Sequence, residues 1–284
     1  MHRLRLEETP MSNRPRLSVS TWSLHRTLGP VYWDSPAKPS RNPEEPYGPG
    51  STTLLELPAQ IAKMGIRTLE ICHFHLPSRD ITYLKDLCGA LNDAGVELFS
   101  LLIDDGDITH PEHQARDMEW ISGWLETAGA LGAKCARVIG GKTADADSLK
   151  RSQAAMAELA TVGEANGVRL MTENWFGVLS KPEHVHALLD SLDGRLGLCA
   201  DFGNWKGLNK YDDLAQILPL AESCHAKCSF AAQMQPDTED YLHCLDLARD
   251  AGFAGPYTLI YDGPDDNEWA GVKLERQLVL PYIN

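Results

Sequence analysis

No stretch of this sequence approaches the roughly 20 consecutive apolar residues that a bilayer-spanning helix needs. The first 16 residues are polar and contain no apolar run of the kind a secretory signal carries. Basic charge is scarce: 26 Lys and Arg against 40 Asp and Glu give a net −14. That balance repels polyanions, and no local basic cluster offsets it, so a nucleic-acid groove is not expected. A disulfide framework is missing too. The seven cysteines (Cys72, Cys88, Cys135, Cys199, Cys224, Cys228, Cys244) are odd in number and scattered. Those at 72, 135, 199 and 224 sit in strand-like apolar runs as small hydrophobes, which fits a reducing, cytoplasmic compartment. No Gly-rich dinucleotide fingerprint follows the first apolar run, and no repeat shorter than a βα unit is visible.

What is there is a chain of 284 residues, 43% hydrophobic, close to the roughly 250 residues of a single α/β barrel. Short apolar runs alternate with helical patterns, the signal for parallel βα units. Strands are expected near Leu17–Trp22, Thr68–Cys72, Glu97–Ile103, Cys135–Ile139, Arg169–Glu173, Gly197–Asp201, Cys224–Cys228 and Tyr257–Tyr261. The intervening helices are expected over Leu54–Met64, Ile81–Ala94, Pro111–Leu131, Leu149–Asn166, Pro182–Leu189, Tyr211–Leu218, Thr238–Ala251 and Val272–Leu280. Gly65, Gly95, Gly132, Gly167 and Gly252 each stand just past a helix, where a left-handed residue is wanted. The composition has no internal break, which favours one closed (β/α)8 TIM barrel over 17–284, preceded by a polar extension over 1–16 in which Met11 is a candidate initiator. A doubly wound open sheet is the competing architecture. One segment departs from this economy: residues 29–51 follow strand 1 and carry six prolines with Tyr32, Trp33 and Tyr47. On a barrel it emerges at the catalytic face, and its aromatics suit a lid or a homodimer contact better than a disordered linker.

In a parallel barrel, catalytic groups gather at strand C-termini on the inward parity. Strand 5 ends Thr172-Glu173-Asn174-Trp175, strand 6 ends Asp201-Phe202-Gly203-Asn204, and strand 7 reads His225-Ala226-Lys227. Consecutive strands thus bring Glu173, Asp201 and His225 to one rim, a set suited to Mn²⁺, Zn²⁺ or Mg²⁺ with a position open for substrate. Singly, each is as well read as a satisfied rim residue; burying all three without a shared partner is costly. Lys227 shares the parity of His225 and points inward. Trp22, His25, Glu70, His75, Trp175 and Asn204 are candidates for substrate contact. His73 and His75 have a spacing that suits either metal or loop anchoring, and Arg137 is inward if the register holds. Gly140-Gly141-Lys142 only faintly suggests a phosphate cradle. Cys224 and Cys228 face away from His225 and do not form a zinc pair.

These motifs, with Thr68-Leu69-Glu70 on strand 2 and Gly255-Pro256-Tyr257-Thr258-Leu259 before strand 8, resemble the xylose isomerase-like barrels. That superfamily includes sugar phosphate isomerases and epimerases, inosose dehydratase-type enzymes and endonuclease IV. The resemblance runs from about Leu17 to the end. It implies that Glu173, Asp201 and His225 are ligands of a divalent metal ion, with a fourth ligand, a Glu, on strand 8. Here that position is Ile260, and Asp262 has the same parity and is the substitute candidate. In the family, paired strand-5 and strand-8 glutamates exchange a proton across the substrate while the metal stabilises an enediolate. The resemblance therefore implies a carbohydrate isomerase or epimerase with Glu173 and Lys227 as catalytic groups. The departure at Ile260 keeps open a lyase or hydratase acting on a keto-sugar or polyol, or a non-catalytic sugar-binding barrel. The nuclease alternative conflicts with the −14 charge.

Overall fold

A computed structural model describes residues 14–39, 41–264 and 266–283. Most of the expected extension over 1–16, Met11 included, therefore lies outside the described residues. Strands β1 (Arg16–Ser20), β2 (Thr68–Cys72), β3 (Glu97–Ile103), β4 (Cys135–Val138), β5 (Arg169–Glu173), β6 (Gly197–Asp201), β7 (Ala221–Lys227) and β8 (Pro256–Ile260) are all parallel. They close in the order β1-β8-β7-β6-β5-β4-β3-β2, which rules out the open doubly wound sheet. Around them run α1 (Leu57–Lys63), α2 (Ile81–Ala94), α3 (Gln114–Ala130), α4 (Ser148–Ala165), α5 (Pro182–Ser191), α6 (Lys210–Ile217), α7 (Thr238–Asp250) and α8 (Glu268–Val279). No helix among the described residues is long and apolar enough to cross a membrane.

Local chemistry explains the boundaries. β1 stops at Ser20 because its hydroxyl accepts the Trp22 N–H and opens a 3-10 turn over Thr21–Leu24. Helix α7 starts where the Asp237 side chain accepts the Asp240 N–H. Helix α8 starts at Glu268, earlier than expected, because Asn267 caps it and the buried Glu268 carboxylate accepts the Arg26 and Thr27 N–H groups at 2.8 Å each. The expected glycines adopt positive φ, from +60° at Gly95 to +75° at Gly65. A short antiparallel ribbon, Phe230–Ala232 with Gln235–Pro236, follows β7 and was not expected.

Alternate residues of each strand face the helices. Leu69, Ile71, Leu101, Val138, Leu198, Cys224 and Leu259 join the main core there, together with Cys228, on the side away from His225. Inside the barrel, Phe99, Cys135, Met171 and Cys199 form a small apolar floor. Above it the interior turns polar and ionisable, so the C-terminal mouth is a site rather than a plug.

The Pro-rich segment is folded back over that mouth. Val31 pairs with Glu44, the Tyr32 N–H donates to the Phe74 carbonyl at 2.7 Å, and the Trp120 indole donates to Asp34 at 3.0 Å. His73 ties the same segment down from inside. Its Nδ1 accepts the Asp104 backbone N–H at 3.1 Å, and its Nε2 donates to the Asp34 carbonyl, also at 3.1 Å. Trp33 is left with its ring 4.4 Å from that of Phe74, over the entrance.

Candidate active site at the barrel mouth

The strand ends converge on His225. Parallel pairing places Asp201 beside His225 across β6 and β7, and Glu173 beside Cys199 across β5 and β6. His225 Nε2 donates to Glu70 Oε2 at 2.9 Å, and Glu70 Oε1 accepts from the Thr258 hydroxyl at 2.8 Å. This fixes the ring and turns Nδ1 toward Glu173 Oε2 at 3.4 Å and Asp201 Oδ2 at 3.6 Å. Burial opposes charge on the imidazole, but the surrounding acidic groups, Glu173 and Glu70 among them, raise its pKa well above the ordinary value. A carboxylate behind an imidazole whose other nitrogen faces further carboxylates is the usual setting of a metal-binding histidine. Glu173 Oε1 accepts from the Asn204 amide at 2.6 Å, while Oε2 has no hydrogen-bond partner although the residue is only 3% exposed. The donor set and this orphaned oxygen fit a divalent cation: the arrangement that draws a proton to Nδ1 equally draws a metal ion. Among the described residues, the compact set with ligand atoms all within 4.8 Å of one another is Glu173, Cys199 and His225.

Arg137 supplies the opposing charge. Its side chain is inward and 4% exposed, Nη2 meets Asp104 Oδ1 at 2.5 Å, and the Trp175 ring lies under the guanidinium at 5.3 Å. Its Nε is 3.0 Å from Glu173 Oε2 but is not aligned as a hydrogen bond. Burial works to raise the Asp104 and Glu173 carboxyls; Arg137, together with His73 at Asp104 and His225 at Glu173, reverses it and holds both below their usual range. Lys227 pairs with Asp262 at 3.0 Å. Burial disfavours its charge, yet Asp201 and Asp262 outweigh this and raise its pKa.

These groups line a cavity of about 300 Å³, walled by Trp22, Trp33, Phe74 and Trp175 with Cys72, Leu102 and Ile260. Of the residues expected at the site, Glu173, Asp201, His225, Lys227, Trp22, Trp175 and Asn204 all line it. Glu70 does not: it is 1% exposed and lies beneath the rim, bound to His225 and Thr258. His25 is outside the cavity lining as well, its Nδ1 on the Trp22 carbonyl at 2.6 Å and its ring packed on Tyr47. His75 is held by the Thr21 hydroxyl at 2.9 Å, facing the base of the 29–51 segment. Burial lowers the His75 pKa to about 3. The Asp262 carboxylate, expected to replace the strand-8 Glu, sits on Lys227 rather than with His225. Asp104, Trp33, Phe74 and Cys199 were missed. For Asp104 and Cys199 the signal was available, since both fall on the inward parity of their strands.

The fold and the site together identify the class. Residues 58–271 match the family described as xylose isomerase-like TIM barrel, and the chain belongs to that family. Solved structures agree in fold. A xylose isomerase-like TIM barrel protein from Mycobacterium smegmatis, in complex with magnesium, superposes with a TM-score of 0.68 at 15% identity, covering 96% of this chain and 100% of that one. D-allulose 3-epimerase from Methylomonas sp. gives 0.68 at 13% identity, covering 95% and 98%. The 3-keto-D-glucoside 4-epimerase from E. coli gives 0.61 at 15% identity, covering 79% and 93%. No curated protein matches this sequence.

Proposed function

We propose that the chain is a divalent-metal-dependent enzyme of the sugar isomerase or epimerase kind, acting on the carbon beside a carbonyl through an enediolate. The observation that carries this reading is the convergence of Glu173 Oε2 and Asp201 Oδ2 on His225 Nδ1, with Glu70 behind the ring. Glu173, Asp201 and His225 would hold a Mn²⁺, Zn²⁺ or Mg²⁺ ion. Such an ion, when bound, supplies Lewis acidity to a carbonyl and its neighbouring hydroxyl. The aromatic walls and the cavity of about 300 Å³ suit a molecule the size of a monosaccharide.

The residues divide the remaining work. Glu173, with Oε1 fixed by Asn204 and Oε2 beside Arg137 without a hydrogen bond, takes the proton from the carbon beside the carbonyl. Lys227, oriented by Asp262, donates a hydrogen bond to the oxygen on which charge develops. Ile260 gives β8 no carboxylate at the position facing Lys227, so exchange between two bases lacks its second base. One-base proton transfer by Glu173 between adjacent carbons, an isomerisation, follows. Elimination of a β-hydroxyl through the same enediolate is the second reading, favoured because Lys227 is a charged proton donor beside that apolar position. The test is deuterium exchange in heavy water with a panel of ketoses and keto-sugars. The parent, loaded with metal, is expected to exchange the proton beside the carbonyl; Glu173→Gln is expected to lose exchange while keeping its fold. A parent with stoichiometric metal and no exchange, isomerisation or elimination on any member of the panel would refute the proposal.

A further inference from the structure

We infer that Cys199 is a thiolate ligand of this site, approaching it from the barrel floor, and that the site prefers a thiophilic ion such as Zn²⁺ to Mg²⁺. The inference rests on the reading of the site as a metal centre and adds to it a ligand and a metal class. Three observations support it. First, the compact donor set is Glu173, Cys199 and His225, all buried, with ligand atoms within 4.8 Å of one another. Asp201 stands slightly apart: its Oδ1 accepts the Gly203 N–H at 2.6 Å, and its Oδ2 reaches only His225.

Second, the direction of approach is right. Cys199 precedes Asp201 by two residues on β6, shares its inward parity and lies one level deeper, in the floor with Phe99, Cys135 and Met171. A thiolate there closes the site from below, and the rim side stays open toward the cavity. Third, the neighbouring inward thiols have other partners. Cys135 donates to the Phe99 carbonyl at 3.1 Å, and Cys72 lies 3.9 Å from the Ser20 hydroxyl. The Cys199 sulfur instead lies within 4.8 Å of ligand atoms of both His225 and Glu173.

The charge balance is acceptable. Binding releases two protons to solvent, one from the thiol and one from Nδ1 of the charged imidazole. The dication then meets the charges of Glu173, Cys199 and Asp201 with a neutral His225, and Arg137 offsets the remaining negative charge from 3.0 Å away at Glu173. Thiolate is a soft donor and selects against Mg²⁺, which demands oxygen.

The test loads the purified full chain with Co²⁺ as the probe. A cobalt–thiolate bond gives an intense near-ultraviolet charge-transfer band that carboxylate and imidazole ligands do not produce. The band is expected in the parent and in Cys135→Ser, which alters the same floor, and is expected to vanish in Cys199→Ser while the weak visible cobalt bands persist. Zn²⁺ affinity is expected to fall by about 10- to 100-fold in Cys199→Ser, at least what losing an outer-shell partner costs, with Mg²⁺ affinity little changed. Stoichiometric Co²⁺ without the charge-transfer band in the parent overturns the thiolate ligand and leaves the metal centre standing. Failure of the folded parent to bind any divalent ion overturns the metal centre itself, and this inference with it.

Discussion

Glu275 provides a test of the fold that needs neither metal nor substrate. It lies on α8, is 0% exposed, and neither carboxyl oxygen has a hydrogen-bond partner. Burial drives its pKa well above the ordinary value; the Cys228 backbone and Lys227 pull the other way and do not compensate, while Asp262 adds to the rise. The folded chain therefore holds Glu275 protonated over a range where the unfolded chain, with a pKa of about 4.3, has released that proton. The sign follows from linkage: this stabilisation is complete below the unfolded value and is lost as pH rises toward the folded one. One proton gives a slope of about 1.4 kcal/mol per pH unit. In a chain of this size each kcal/mol moves Tm by about 2–4 °C, so the slope is about 3–6 °C per pH unit. Glu275→Gln keeps the shape and removes the titration. Melting both proteins from pH 5 to pH 8 cancels every other titrating group in the difference. The variant is expected to gain on the parent as pH rises from the unfolded value toward the folded one. A constant offset between the two curves would show that Glu275 is solvated or paired in the folded chain, and the burial of that face of α8 would be wrong.

Two further substitutions probe specific contacts. Glu70→Gln leaves the imidazole of His225 without its carboxylate and is expected to weaken divalent-metal binding by about 10- to 100-fold, measured by titration calorimetry; unchanged affinity would show that Glu70 does not orient the ligand. Gly271→Ala places a methyl group 2.2 Å from the Tyr261 ring, where α8 crosses the end of β8. Such overpacking is expected to destabilise by about 1–3 kcal/mol in urea unfolding with the fold retained, and an unaltered midpoint would mean that the helix does not approach that closely.

The barrel was legible because its signals are local and repeated. Apolar runs such as Leu98-Phe99 and Leu101-Leu102-Ile103 set the strands, and Gly95 and Gly132 mark the turns before them with the positive φ that side chains avoid. Where the expectation slipped, a long-range contact decided. Helix α8 begins at Glu268 because that carboxylate binds the backbone of residues 26 and 27, on the far side of the sequence. The conformation of residues 29–51 was equally out of reach. It is set by Asp34 meeting Trp120 and His73, contacts that no periodicity announces.

Parity alone brought Glu173, Asp201, His225 and Lys227 to one mouth, but it did not separate groups that face the cavity from groups that support them. Glu70 shares the inward parity and lies one level too deep, so its chemistry is spent on His225. The composition of the interior sets these positions apart. A barrel kept for stability alone fills its inner layers with Val, Ile and Leu. Here Glu70, Arg137, Glu173, Asp201 and His225 are buried at 1 to 4% exposure, each at a desolvation cost that apolar side chains would not incur. Even after pairing, Glu173 Oε2, Asp104 Oδ2 and Arg137 Nη1 have no hydrogen-bond partner in the barrel mouth. Apolar side chains would be more stable in those places. Polar capacity left over in a cavity of monosaccharide size is what a site needs if a cation and a hydroxylated guest are to complete it.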